Sequence, residues 1–314
     1  MLLERIQQNA SLLAKHPAYR CGEDSLTYAQ LWNAASLLAA QLQDGAGAVA
    51  LIGTKQPMMA VGMLGSLLAG RPYLPLSSDQ PKERLQRILS QANPGTVIDC
   101  REAKAEQWLK REPATQNFLI PGDPSRDAYW LFTSGSSGSP KGVRISLAAL
   151  ENFVRWFCAL PSIRSRKEPG AALNQAQFSF DLSVADLWPA WMMGETVFAL
   201  EPSQQADLDK LYRALGESGA TRMSCTPSFA RLCLCDKSFQ RELMPALQTV
   251  FFCGETLPAR TVRQLRQRFP GVTVLNAYGP TEATCAVCAV EVTGAGEPLP
   301  VGQLANAACQ LLIL

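Results

Sequence analysis

The chain has 314 residues, of which 47% are hydrophobic and 18% charged, a balance that excludes disorder and suits one large domain or two smaller ones. Its formal net charge of +2 gives no field of one sign, which argues against nucleic acid and an anionic membrane as partners. Ten cysteines in a chain of this length, with charge at Glu4 and Arg5 and no run of roughly 18 apolar residues, fit reduced thiols in the cytoplasm better than a disulfide framework.

In chain order, residues 1–44 read as two helices around a polar CGEDS break, the second carrying apolar residues three and four apart. GAGAVALIG enters a short buried strand, MMAVGMLGSLLAG is a small-residue helix, and PYLPL and TVIDC are strand candidates. Residues 101–127 are the least regular and read as a linker. A second series starts at AYWLFTSGSS and runs through the helix LAALENFVRWFCAL, a polar loop at IRSRKEPGAA and ALNQAQFSF. It continues with the tryptophan-rich helix DLSVADLWPAWMMG, ETVFAL and the helix LDKLYRALGESG. The strands TRMSCTPS, TVFFCGE and VTVLNAYG complete it. Alternating strands and helices predict an α/β fold of two helix-covered, mostly parallel sheets, about 1–120 and about 121–314. In such sheets ligands gather where strands end, so TSGSSGSPKG, TPS, CGE and YGPTE are expected to share one cleft.

The segment Thr133-Ser134-Gly135-Ser136-Ser137-Gly138-Ser139-Pro140-Lys141-Gly142 lies between the strands YWLF and VRIS. Glycines bring backbone N–H groups close to an anion, hydroxyls add donors, and Lys141 adds a mobile cation. A Walker loop is excluded because Pro140 precedes and Gly142 follows the lysine, and the glycines at 45 and 47 precede their strand, unlike a Rossmann fingerprint. Two readings remain beside phosphate binding: an amidase-type serine loop, and a plain Gly/Ser surface loop that leaves the preceding strand and the PKG ending unexplained. Cys285 and Cys288 have C-x2-C spacing, but no second pair follows and the one histidine, His16, is distant, so small buried side chains are the better reading than zinc.

TSGSSGSPKG resembles the phosphate-binding signature of the adenylate-forming superfamily, which includes acyl-CoA synthetases, luciferases and nonribosomal peptide synthetase adenylation domains. Asn276-Ala277-Tyr278-Gly279-Pro280-Thr281-Glu282 resembles its second signature, and LTY at 26–28 and LAGRPYLPL at 68–76 resemble two structural motifs. Within that superfamily NQAQFSFDLSV at 174–184, CTPSF at 225–229, FCGE at 252–255 and LPVG at 299–302 are similar to the D-alanine–carrier protein ligases.

The resemblance implies ATP- and Mg²⁺-dependent activation of a small amino acid, D-alanine first among candidates, and transfer to a carrier-protein phosphopantetheine thiol. It implies phosphate donors at Thr133, Ser134, Gly135, Ser136, Ser137 and Gly138. Lys141 and Glu282 then act catalytically, and Glu282 helps hold Mg²⁺, a hard cation that prefers oxygen. Alone, Glu282 reads equally well as a carboxylate at a helix N-terminus. Tyr278 is expected against adenine, with Asn276, Ala277, Gly279, Pro280 and Thr281 lining the nucleotide pocket and Glu255 a further adenine neighbour. Asp181, amid FSF and LSV, needs a cation, which the resemblance supplies as the substrate ammonium; its bland reading is the N-cap of the following helix. Cys253 and Cys285 are expected beside the substrate side chain, Cys285 standing where the D-alanine ligases usually have valine.

The superfamily's later features are not found in these residues: no ribose-binding stretch, no hinge, no C-terminal lysine. ACQLLIL at 308–314 reads as a strand cut short, so the chain is expected to be the N-terminal core without its C-terminal lid, binding nucleotide but catalysing adenylation poorly. Activation of L-proline or another small amino acid, acyl- or aryl-CoA synthesis, and a noncatalytic nucleotide-binding fragment remain as alternatives.

Overall fold

The computed structural model describes residues 2–102, 123–134, 140–164, 169–294, 296 and 298–303, Ser134 by its backbone only. Most of the expected linker, the loop 135–139 and the segment 308–314 lie outside the described residues. The chain forms two compact units, Met1–Glu151 with Gln177–Phe180, and Asn152–Ala176 with Asp181–Leu314.

In the first unit, α1 (Leu2–Leu12) precedes a hairpin of β1 (Pro17–Cys21) and β2 (Asp24–Thr27) where the sequence suggested only a break between helices. Gly22, at φ 55°, makes the tight turn. Helix α2 (Tyr28–Leu42) starts on a capping box: the Gln30 N–H donates to Thr27 Oγ1 at 3.2 Å, and the Thr27 N–H donates to Gln30 Oε1 at 2.9 Å. β3 (Val49–Gly53), α3 (Pro57–Leu68), β4 (Tyr73–Ser77), α4 (Lys82–Ala92), β5 (Thr96–Asp99), β6 (Asp127–Ser134) and β7 (Pro140–Ser146) follow.

The sheet order is β5-β3-β4-β6-β7, parallel except for the antiparallel β6–β7 pair. Because β6 pairs with β4, the strand before the glycine-rich loop belongs to this first sheet, and the unit extends to Glu151 and not only to about residue 120. Every residue of α3 is buried. A Cβ on Gly62 would come within 2.7 Å of the Leu51 side chain, and one on Gly65 within 3.0 Å of the Ala35 carbonyl. The small residues are therefore what lets α3 lie against β3 and α2. Arg71 of LAGRPYLPL donates to the carbonyls of Gly47 and Ala46 at 2.9 and 2.8 Å, fixing the turn into β3.

The second unit contains α5 (Leu147–Ala159), within which the division falls, then α6 (Pro161–Arg164), β8 (Ala171–Asn174), α7 (Leu182–Met193), β9 (Thr196–Ala199) and α8 (Pro202–Gln205). It continues with α9 (Leu208–Glu217), β10 (Arg222–Cys225), α10 (Pro227–Leu234), β11 (Thr249–Phe252), α11 (Ala259–Arg268), β12 (Thr273–Tyr278), a 3₁₀ turn (Thr281–Ala283) and β13 (Cys288–Glu291). Its strands run β13-β12-β11-β10-β8-β9, parallel except for the β12–β13 pair. The short strands of this sheet are buried throughout at β8, β9, β10 and β11, as in a parallel sheet covered on both faces, although β10 carries Arg222 and Ser224.

At the head of β10, Arg222 is 2% exposed, and its Nε donates to Glu195 Oε2 at 2.8 Å. Its two Nη atoms donate to the carbonyls of Ala185 and Asp186, each at 3.1 Å, and it stands 4.0 Å from Asp186 Oδ1. Asn174 Nδ2 donates to Asp186 Oδ2 at 3.2 Å. Asp186, which the sequence reading passed over, is thus part of a buried charge network that ties α7 to β8 and β10. Removing one partner leaves the others charged in an apolar surround. Arg222→Met is expected to cost about 3–5 kcal/mol, read as a fall in the urea midpoint of unfolding.

Candidate functional site

In the first unit, β6 and β7 are antiparallel with Thr133 opposite Lys141 and Ser134 opposite Pro140. The glycine-rich segment is therefore the connection of a hairpin. Lys141 is exposed, beside the two residues that lead into the loop. Gly135, Ser136, Ser137 and Gly138 lie outside the described residues.

In the second unit, β8, β10, β11 and β12 are parallel, so their carboxyl ends fall on one edge of the sheet. Asn174, Cys225, Phe252 and Tyr278 are the last residues of these strands. The sequence-predicted residues of this unit cluster after them: Asp181 opens α7, Cys253 and Glu255 follow β11, and Asn276 to Glu282 close β12 and enter the 3₁₀ turn.

Asp181 occupies the N-cap position of α7 but makes no side-chain cap. Its Oδ2 instead accepts a hydrogen bond from Thr281 Oγ1 at 2.6 Å, across 100 residues of sequence. Burial pushes the Asp181 carboxyl above its ordinary range, the Thr281 hydroxyl pulls it back, and the charge of Glu282 pushes it up again. Among the described residues no lysine or arginine forms an ion pair with Asp181.

Cys253 and Cys285 are both buried, and the Cys253 thiol donates to the Cys285 carbonyl at 3.5 Å. Contact with the Cys253 thiol and burial hold the Cys285 thiol well above its ordinary range, the condition of an inert side chain and not of a nucleophile. Thr284 and Cys285 both have left-handed backbones, at φ 63° and 71°. For residues with a Cβ this costs about 1–3 kcal/mol each, and it turns the chain so that Cys285 faces Cys253. Neither residue type announces this in the sequence. The return of the chain is tight: a Cβ on Gly279 would lie 2.5 Å from Ala286 Cα and 2.8 Å from the Cys285 carbonyl oxygen.

Tyr278, at the end of β12, is 56% exposed, a ring open to stacking, and its carbonyl accepts from the Val287 N–H at 2.9 Å. Ala277 is buried. Buried Asn276 donates from Nδ2 to the Pro300 carbonyl at 2.8 Å, holding the LPVG segment against the end of β12. Glu255 is already engaged: its Oε2 accepts from the Ser228 hydroxyl at 2.5 Å and the Ser228 N–H at 3.1 Å, at the first turn of α10. Ser228 of the TPSF motif was not singled out as its partner, because the two are far apart in sequence. Glu282 is exposed on the 3₁₀ turn, Pro280 is exposed, and the Ala283 N–H donates to the Pro280 carbonyl at 2.9 Å.

The AMP-binding enzyme family matches residues 6–314. The chain belongs to that family. It is 37% identical over 310 residues to the D-alanine–D-alanyl carrier protein ligase of Bacillus licheniformis, a match covering 93% of this chain and 61% of that protein. The ligases of the same name from Bacillus velezensis and Bacillus cereus are 36% and 34% identical, covering 96% and 100% of this chain. The chain spans 61–66% of the length of these relatives. Among solved structures, IdnL7 is similar with a TM-score of 0.72 and 27% identity, over 92% of this chain and 63% of that one. The Klebsiella oxytoca NpsA N-terminal subdomain in complex with 3-hydroxybenzoyl-AMSN shares the fold with a TM-score of 0.78 at 22% identity, over 93% of this chain and 76% of that one. The α/β fold with two mostly parallel, helix-covered sheets is therefore that of adenylation domains.

The close approach at Gly279 gives a direct test of the local geometry. Gly279→Ala forces backbone at 285–287 to move and is expected to cost roughly 1–3 kcal/mol, read as a lower melting temperature.

Proposed function

We propose that this chain is the nucleotide- and amine-recognising part of a ligase that activates a small amino acid with ATP, D-alanine being the leading substrate, and passes it to a carrier-protein phosphopantetheine thiol. The observation that carries the reading is Asp181: a half-buried carboxylate, held by a hydroxyl and without a described cationic partner, at the sheet edge where this fold binds ligands. An amino acid brings the missing ammonium, while fatty and aryl acids do not. The names of the Bacillus relatives support D-alanine. We place the reaction in the cytoplasm, where free thiols such as the nine described here persist.

In this reading the substrate carboxylate attacks the α-phosphorus of ATP, forming the acyl–phosphate bond as the bond to pyrophosphate breaks. The carrier thiol then displaces AMP and forms a thioester. Positioning and charge stabilisation carry the first step. Thr133, Ser134, Gly135, Ser136, Ser137 and Gly138 supply phosphate donors, and Lys141 supplies positive charge. Tyr278 stacks on adenine through its exposed ring; Asn276, Ala277, Gly279 and Pro280 shape that wall. Glu255, bonded to Ser228, sets the start of α10 beside the end of β11 and reaches adenine only if that bond is shared.

Glu282 fits a hard cation: an exposed oxygen donor on a short turn. Mg²⁺ takes one or two carboxylates and completes its shell with phosphate oxygens and water, so a single carboxylate at Glu282 is the protein's share of such a site. When bound, Mg²⁺ would neutralise phosphate charge. Cys253 and Cys285 bound a small side-chain space and favour alanine over larger substrates.

The test is amino-acid-dependent pyrophosphate exchange by the full-length protein, with both alanine enantiomers, proline, serine and propanoate. D-Alanine is expected to give the highest kcat/KM and propanoate almost none. Asp181→Asn is expected to lower kcat/KM for D-alanine at least about 30-fold, the low end for truncating a buried charge pair. Equal exchange with propanoate would overturn the amino-acid reading. Separately, Glu282→Gln is expected to raise the Mg²⁺ concentration giving half-maximal exchange, and an unchanged Mg²⁺ dependence would remove Glu282 from that role.

A further inference from the structure

Resting on that reading, we infer that Thr281 is the positioning residue for amine recognition: it fixes the Asp181 carboxylate so that one oxygen faces the substrate ammonium. The contact itself is on one atom pair, Thr281 Oγ1 to Asp181 Oδ2 at 2.6 Å, within the second unit.

Three features make the bond a device for orientation. First, Asp181 opens α7 without a side-chain cap; beside the Leu182 N–H and its own N–H, Thr281 is the side chain described as holding its carboxyl. An uncapped aspartate at a helix start has several staggered positions available, and ammonium binding then pays for choosing one. Second, the donor sits on a rigid support. The Ala283 N–H bonds to the Pro280 carbonyl at 2.9 Å, and the Thr284 N–H bonds to the Thr281 carbonyl at 3.1 Å. The preceding Gly279 packs so closely on residues 285–287 that no side chain fits there. Third, the bond occupies only Oδ2. An ionised carboxylate has about four lone-pair sites, so Oδ1 is left for a cation.

The experiment uses the full-length protein and two probes, 5′-O-(N-alanyl)sulfamoyladenosine and its propanoyl analogue without the amine. The ratio of their dissociation constants, measured by calorimetry, reports the amine contribution alone. Wild type is expected to prefer the amino probe. Thr281→Val is expected to reduce that preference about tenfold, the effect of one hydrogen bond to a charged group, and Thr281→Ser to restore it to within about threefold. Adding Thr281→Val to Asp181→Asn should cause no further loss of preference, because the hydroxyl acts through that carboxylate. Thr281→Ala serves in the same comparison if the valine variant melts lower than wild type. An unchanged ratio in Thr281→Val, or an equal loss in Thr281→Ser, overturns the inference and leaves the amino-acid reading standing. A wild-type ratio near one overturns both.

Discussion

The second unit depends on the parallel alignment of β8, β10, β11 and β12. Parallel strands need a crossover between each pair, and all their carboxyl ends then open on the same edge. The chemistry-bearing residues after these strands are neighbours for that reason alone, although Asp181 and Thr281 are 100 positions apart. The alignment must be held from behind, and Arg222 does so by clamping Glu195, Asp186 and two carbonyls of α7 against the head of β10. A buried ion network of this kind adds little net stability against an apolar equivalent, while losing one member leaves the others charged and unpaired. Through Ala185 and Asp186 it ties α7, whose first turn follows Asp181, to the head of β10.

Much of the architecture was legible from period and punctuation. The strand-helix alternation, the buried small-residue helix and the glycine-rich segment between two strands all leave local patterns. The β1–β2 hairpin was hidden because PAYRC and DSLT are short and only Gly22 marks the reversal. The chain's division was misplaced because β6 follows an irregular stretch, and nothing local says that it returns to pair with β4.

The site was legible as a set of residues and not as a set of contacts. Asp181 stood out because a carboxylate in apolar company needs compensation. That the compensation includes Thr281, that Glu255 is bound to Ser228, and that Asp186 serves Arg222 are all long-range facts without any spacing signal. The left-handed turn at Thr284 and Cys285 is equally silent, since neither residue type favours positive φ. Its strain is concentrated where the chain returns onto Cys253 and Gly279.

Helix α3 has a consequence for how the chain reaches its native state. Its twelve residues have no outward side, so before β3, β4 and α2 close around it the strip PMMAVGMLGSLL faces water in full. β4 is made after α3, so during synthesis the helix waits for part of its own enclosure. For that interval the nascent chain carries an adhesive apolar rod, the kind of transiently exposed surface that favours aggregation.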